Sequence, residues 1–243
     1  MSTLKTVTIM DIKFINISKQ NFLENHLFPR LVKEEKSYIV TANPEIVMRT
    51  REDRNYKQMV QQADYIAPDG AGIVLASKYL KEPVVERIAG YDLMLDLLAF
   101  AEKNQLTCYF LGAKKQVNDK LMVELKKYYP KLIIAGKHHG YFSMDDERIV
   151  NDVKSANPDL IFVALGSPRQ EQWITDNMQA FSKGLFMGVG GSFDVLAGEV
   201  KRAPNIWIKF NLEWLYRLLK QPFRWKRILK AIEFIIRIIF KKW

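Results

Sequence analysis

Two kinds of segment alternate along the chain between residues 37 and 190. Short runs of consecutive apolar positions have the length and the β-branched and aromatic content of strands buried on both faces: SYIVTA (37–42), DYIAP (64–68), LTCYFLG (106–112), LIIAG (132–136), DLIFVALG (159–166) and GLFMGVG (184–190). Longer segments with apolar residues three and four apart follow most of them, at 44–62, 70–80, 90–104, 114–129, 145–155 and 168–180, and predict amphipathic helices. Strands without a polar face need a covering layer on each side, and crossover helices supply both. The pattern therefore predicts an α/β fold, a Rossmann-like α/β/α body with a mostly parallel sheet, preceded by a short β-type N-terminal arm.

After about residue 200 the pattern changes. EWLYRLLKQPFRWKRI (213–228) mixes aromatic, leucine and arginine residues at helical spacing. Further on, Ile228, Ile232, Ile235 and Ile239 follow i, i+4, i+7 and i+11, with Leu229 and Ile236 beside them, and predict one apolar stripe. Arg217, Lys220, Arg224 and Arg227 would form a basic stripe if Pro222 only bent the helix. Residues 201–243 hold twelve Lys and Arg against Glu213 and Glu233, which accounts for the whole formal charge of +10, and they carry Trp207, Trp214, Trp225 and Trp243. Residues 1–200 are neutral. The chain reads as a Rossmann-like domain over 1–200 that carries the chemistry and a basic, Trp-rich helical appendage over 201–243. Such an appendage suits the headgroup layer of an anionic membrane, with tryptophans at the interface and cations near the lipid phosphates. A helix packed on the body or on another subunit would show the same pattern, and a homo-oligomer is compatible with it.

Composition narrows the setting. The chain has 243 residues, 48% hydrophobic and 26% charged, enough for one large globular unit with an appendage. Its single Cys108 can form no internal disulfide, which points to a reducing compartment. No secretory signal is read at the N-terminus, and no apolar run reaches the roughly 18–20 residues needed to span a bilayer, since Arg237 interrupts FIIRIIF. A cytoplasmic protein, peripheral on the inner face of the cell membrane, is expected.

In open α/β sheets ligands sit at the carboxyl ends of the strands, which selects TANPE (41–45), APDGAG (67–72), LGAKKQ (111–116), GSPRQEQ (166–172) and GVGGSFD (188–194). Asn43 reads as a helix N-cap with Pro44 in the first turn, and Thr41 as a hydroxyl facing the crevice. Asp69 lies between proline and glycine, which is turn chemistry, but apolar runs flank it and would raise its basicity toward a general base. GSPRQEQ offers free N–H groups at a helix start, and Gly190 and Gly191 of GVGGSFD let a backbone approach a ligand closely; both favour phosphate. There is no Walker loop, no Asp-x-Asp pair and no Cys/His ligand spacing, and His138 and His139 are adjacent on a strand and face opposite ways, so neither a metal nor a cofactor is expected.

Together TANPEIV, APDG, ERIAGYDL, GSPRQE, GVGGSFD and RAPNIWIKFNLEWLYRLLKQPFRWKR resemble the WecG/TagA/CpsF family of bacterial glycosyltransferases, in the family's order and over nearly the whole chain. The resemblance implies a metal-independent, inverting transfer of an N-acetylmannosamine-type sugar from a UDP-sugar donor to a polyprenyl-diphosphate-linked N-acetylglucosamine acceptor. It implies Asp69 as general base, with Thr41 and Arg87 beside it as catalytic residues and Asn43 and Gln170 in contact with substrate. Arg87 would stabilise the departing diphosphate in place of a metal. Arg217, Arg224 and Arg227 would reach the acceptor diphosphate from an appendage that also closes over the site. The LEWLYRL and RAP blocks and the basic tail lean toward N-acetylmannosamine and the linkage unit of wall teichoic acid. The alternative is a relative of the same family that uses the uronic acid or another hexose, for capsule or exopolysaccharide.

Two readings compete with this one. FLGA after a strand admits a nucleotide-dependent oxidoreductase, although the glycine fingerprint is incomplete and no acid is placed for the ribose. The basic aromatic tail admits nucleic-acid binding, but a neutral body and an isoleucine-rich stripe suit lipid better, so no nucleic-acid partner is expected.

Overall fold

The computed structural model describes residues 4–210, 212–222 and 225–241. The N-terminal arm is a hairpin of β1 (Thr6–Ile9) and β2 (Ile12–Ile15), paired antiparallel. Its two turn residues, Met10 and Asp11, both have positive φ, 49° and 61°, as a two-residue hairpin of this twist requires. Methionine is an unusual choice there; its side chain is only 1% exposed, so burial offsets the backbone strain. After the hairpin comes a helical stretch that periodicity left unassigned, consisting of α1 (Lys19–Phe22), a π turn over Leu23–Leu27 and α2 (Phe28–Val32). Ser18 caps it, accepting from the Asn21 N–H at 3.2 Å, and Pro29, which has no N–H to donate, sits where the widened turn gives way to α2.

In the body each strand is followed by one or two helices: β3 (Ser37–Ala42), α3 (Pro44–Glu52), α4 (Arg54–Gln61), β4 (Tyr65–Pro68), α5 (Ala71–Tyr79), α6 (Gly90–Lys103), β5 (Thr107–Gly112), α7 (Lys115–Tyr128), β6 (Ile133–His138), α8 (Glu147–Ala156), β7 (Leu160–Ala164), α9 (Arg169–Asn177) and β8 (Leu185–Gly188). The helix expected over 44–62 is two helices. Asp53 leaves helical geometry at φ −131°, ψ 109°, and its carboxylate accepts from the Tyr56 N–H at 3.0 Å to start α4.

Strands β3 to β8 form one sheet in the order β4-β3-β8-β7-β5-β6, every pair parallel. Successive strand residues feed two separate cores. Tyr38, Val40, Tyr109, Leu111, Ile161 and Val163 belong to one; Ile39, Cys108, Phe110, Leu160 and Phe162 belong to the other. Helices α3, α4, α5, α8 and α9 supply the first core, and α6 and α7 supply the second, so the sheet is covered on both faces. This mixed α/β body with its parallel sheet is consistent with a Rossmann-like fold.

Beyond β8 lie α10 (Ser192–Leu196), α11 (Asn205–Lys209), α12 (Glu213–Lys220) and α13 (Trp225–Ile239). Gln221 adopts φ −135°, ψ 75°, outside the helical region that a following proline disfavours, and α12 ends at Lys220. The single bent helix is therefore replaced by two, with Arg217 and Lys220 on α12 and Arg227 on α13; Arg224 lies outside the described residues. Helix α13 packs on α3 and α5 and inserts Phe234 and Ile238, 0% and 1% exposed, into the first core. The Tyr79 hydroxyl donates to the Ile239 carbonyl at 3.1 Å across the same contact. Of the expected isoleucine stripe, Ile228 and Ile235 are half-buried, while Ile232 and Ile239 are exposed beside Trp225, Leu229, Ile236 and Phe240. Among the described residues no helix is long and apolar enough to cross a membrane.

Candidate active site

All five loops singled out in the sequence leave the carboxyl edge of the parallel sheet, and neighbouring strands bring two of them into one corner. In the β3–β4 pairing Thr41 stands opposite Ala67 and Ala42 opposite Pro68, and the Asp69 N–H continues the ladder to the Ala42 carbonyl at 3.0 Å. The chain then returns past the same corner, because the Ile88 N–H bonds the Pro68 carbonyl at 2.8 Å. That return carries Arg87 alongside Asp69 and starts α6 against Thr41. The approach is close enough to require a glycine: a Cβ on Gly90 would lie 2.5 Å from Thr41 Oγ1. Asn43 spends its side-chain oxygen on the Ile46 N–H at 3.1 Å, as the N-cap of α3.

Four charged groups are linked in series here. Arg87 Nε donates to Asp69 Oδ1 at 3.2 Å, Arg87 Nη2 donates to Glu213 Oε2 at 3.0 Å, and Arg217 Nη2 donates to Glu213 Oε1 at 2.5 Å. Burial works against the Arg87 charge, but the two carboxylates more than offset it and hold the guanidinium cationic. Burial would likewise push the Glu213 carboxyl up; Arg217, Arg87 and the more distant Arg202 outweigh it and hold it below the ordinary carboxylate value. Asp69 Oδ2 has only a long contact, 3.5 Å, from the Gly90 N–H. One Asp69 oxygen is thus committed to the ion pair with Arg87, while the other has only that long contact. Such an arrangement can accept a proton and stabilise negative charge developing nearby.

The second half of the edge is built on Gln170, at the start of α9. It is 6% exposed, with Nε2 donating to Glu171 Oε1 at 2.7 Å and Oε1 accepting the Gly190 N–H at 3.0 Å. Its side chain thereby holds the glycine loop after β8, where Gly190 has φ 50° and Gly191 precedes α10. Glu171 is buried against Ser167 and Tyr56; burial raises its carboxyl above the ordinary value despite the Gln170 and Ser167 hydrogen bonds. Tyr56 in turn shares a 2.7 Å hydrogen bond with Ser167. Asp194, just beyond the glycine loop, is raised by burial, partly offset by its own backbone N–H and by Lys114.

Of the residues picked out in the sequence, Thr41, Asn43, Asp69, Arg87 and Arg217 share the first corner, Gln170, Gly190 and Gly191 form the second, and Arg227 lies at the start of α3, 3.6 Å from Glu45. Among the described residues no group of three His, Cys, Asp or Glu is gathered to hold a metal. Glu213 was counted in the sequence only as a tail acid. Its one local signal is the four-residue offset from Arg217, and nothing in the sequence brings it to Arg87, 126 residues away.

Comparison with known proteins agrees with this picture. Residues 7–243 match the glycosyl transferase WecG/TagA/CpsF family. The chain is 40% identical over 243 residues to the N-acetylglucosaminyldiphosphoundecaprenol N-acetyl-beta-D-mannosaminyltransferase of Staphylococcus aureus strain MW2, covering 99% of this chain and 94% of that one. It is 38% identical over 239 residues to the protein of the same name from Bacillus subtilis strain 168, covering 97% and 92%, and 37% identical over 236 residues to that of Bacillus spizizenii W23, covering 97% and 91%. A match of this extent replaces the oxidoreductase reading, and the chain belongs to the WecG/TagA/CpsF family and is a glycosyltransferase.

Proposed function

We propose that this enzyme moves N-acetylmannosamine from UDP-N-acetylmannosamine to polyprenyl-diphosphate-linked N-acetylglucosamine, with inversion and without a metal, in synthesis of the wall teichoic acid linkage unit. The observation that carries the chemistry is the Asp69–Arg87–Glu213–Arg217 series, which sets a carboxylate with one uncommitted oxygen beside a cluster of guanidinium donors at the ligand edge of the sheet. The identity of the sugars rests on the names of the relatives, which are acetylmannosaminyltransferases acting on a diphosphoundecaprenol-linked N-acetylglucosamine.

In this reading Asp69 takes the proton of an acceptor hydroxyl as its oxygen bonds to the anomeric carbon of the donor. The bond from that carbon to the UDP oxygen breaks on the opposite face, and UDP leaves with the electron pair. Arg87 receives the charge that grows on the leaving diphosphate, the task a divalent cation performs elsewhere. Thr41 lines the same corner, Asn43 and Gln170 hold the loops that meet the substrate, and Gly190 and Gly191 let the backbone approach it. Arg217 and Arg227 of the appendage are assigned to the acceptor diphosphate, and Arg224, outside the described residues, is assigned there by the family resemblance alone. The acceptor's isoprenoid keeps it at a bilayer, and the exposed Trp225, Leu229, Ile232, Ile236 and Ile239 on α13, with Phe240 just after it, set among cations, support peripheral docking of the appendage on the anionic inner face of the cell membrane.

The test is a panel of UDP-sugars offered to the full chain with a short-chain lipid diphosphate N-acetylglucosamine, each with and without excess chelator. Transfer from UDP-N-acetylmannosamine, unaffected by the chelator, is expected. Transfer from a UDP-hexose or the mannosaminuronic acid alone would move the enzyme to capsule or exopolysaccharide synthesis. Loss on chelation that magnesium or manganese restores would overturn the metal-independent reading.

A further inference from the structure

Glu213 presents a contradiction. It is a carboxylate, 7% exposed, set at the place where the proposed reaction must bind and release a diphosphate. An ordinary i, i+4 pair with Arg217 on a helix surface contributes little and needs no burial. Here each carboxylate oxygen is given to a different guanidinium, Oε2 to Arg87 from the loop before α6 and Oε1 to Arg217 from α12. Placing two guanidiniums in one half-buried corner with no anion between them is unfavourable, because like charges repel more strongly as solvent is excluded. Glu213 removes that repulsion before any substrate arrives.

It also constrains direction. Arg87 gives Nε to Asp69 and Nη2 to Glu213, so its plane is fixed by two carboxylates on one side. Among the described residues no acceptor meets its Nη1, and that end remains available for a ligand. The carboxylate belongs to the appendage and Arg87 to the body, so docking of α12 and orientation of Arg87 are one event.

We infer that Glu213 is a positioning residue. It bridges Arg87 of the body and Arg217 of the appendage and sets the two guanidiniums for the diphosphates of donor and acceptor only when α12 is seated. This rests on the reading above, in which those arginines meet a diphosphate. Because the bridge acts through geometry and carries the same sign of charge as the ligand, removing its charge should harm turnover without weakening anion binding.

The experiment compares Glu213→Gln with the parent protein, full length in both cases, in steady-state kinetics with donor varied, in calorimetric binding of inorganic pyrophosphate and in thermal unfolding. Misplaced catalytic donors commonly cost up to about 100-fold, and we expect kcat to fall about 10–100-fold. The donor KM should be unchanged or lower, pyrophosphate binding unchanged or tighter, and the unfolding temperature near that of the parent. In an Arg217→Ala background the same substitution should cost no more than about twofold further, since one half of the bridge is already gone. Unchanged kcat with tighter pyrophosphate binding would make Glu213 a mere competitor of the ligand and overturn the inference. A fall in kcat with raised KM and lower unfolding temperature would make it a structural strut and overturn it equally. A parent protein that neither binds pyrophosphate nor turns over any UDP-sugar would sink the functional reading itself, an outcome visible before any variant is made.

Discussion

Asp69 is suited to accept a proton because its two oxygens are not equivalent. Arg87 Nε occupies Oδ1 at 3.2 Å, whereas Oδ2 has only the 3.5 Å contact with the Gly90 N–H. Asparagine at this position keeps an oxygen for Arg87 and the bond from its own N–H to the Ala42 carbonyl, so Asp69→Asn should fold. It should nevertheless lose turnover by about 10²–10⁴-fold, the usual share of a positioned base, with UDP binding retained. Stopped assays on the soluble acceptor, paired with UDP calorimetry, read both quantities; a mutant within a few fold of the parent would remove Asp69 from the proton transfer. At this scale the sequence was most legible where a residue's own neighbours state its local role: Pro44 marks Asn43 as a cap, whereas Pro68 and Gly70 mark Asp69 only as a turn residue. It was silent on Glu213, whose partner Arg87 is brought to it by the fold.

Helix α13 shows why an apolar stripe in a sequence does not say what it faces. Period 3.6 predicted one stripe through Ile228, Ile232, Ile235 and Ile239, yet the segment is apolar over more than half its circumference. Phe234 and Ile238 are taken by α3 and α5, and Ile232, Ile236 and Phe240 are left outside. The two faces should separate by mutation. Phe234→Ala should cost about 3–5 kcal/mol in urea unfolding, as a large core truncation does, while Ile236→Ser stays within about 0.5 kcal/mol. In flotation with anionic vesicles the order should reverse, with Ile236→Ser recovered less well than the parent. Equal destabilisation by both would mean that the outer face is covered as well.

For the whole molecule, the appendage is charged and aromatic like a separate anchor but packed like a layer of the body. Removing everything after Val200 takes away all the excess charge, and it also uncovers the faces of α3 and α5 under Phe234 and Ile238. The shortened protein should lose vesicle recovery and should melt lower than the full chain by at least several degrees, since about 2–5 kcal/mol of buried contact is lost at each large core residue. Its activity on a water-soluble acceptor should also fall, because Glu213 and Arg217 leave with the tail. Arg217→Ala in the full chain controls for folding and should show the activity loss alone. Full activity of the shortened protein on the soluble acceptor would reduce the tail to an anchor.

The succession of strands and covering helices between residues 37 and 190, the parallel sheet with both faces covered and the five loops at its carboxyl edge were legible in the sequence alone, because they follow from local periodicity and from glycine, proline and capping residues that act on their immediate neighbours. Where local signals conflicted, the tertiary structure decided. Met10 accepts a strained turn because the core buries it, α1 and α2 form around a π turn before Pro29, and Asp53 splits one expected helix in two. The pairing of Arg87 with Glu213, the seating of α13 on α3 and the holding of Gly190 by Gln170 were likewise beyond the sequence. These are contacts between residues far apart in the chain, and their energies come from burial and charge proximity, which exist only after the sheet has brought its loops to one edge.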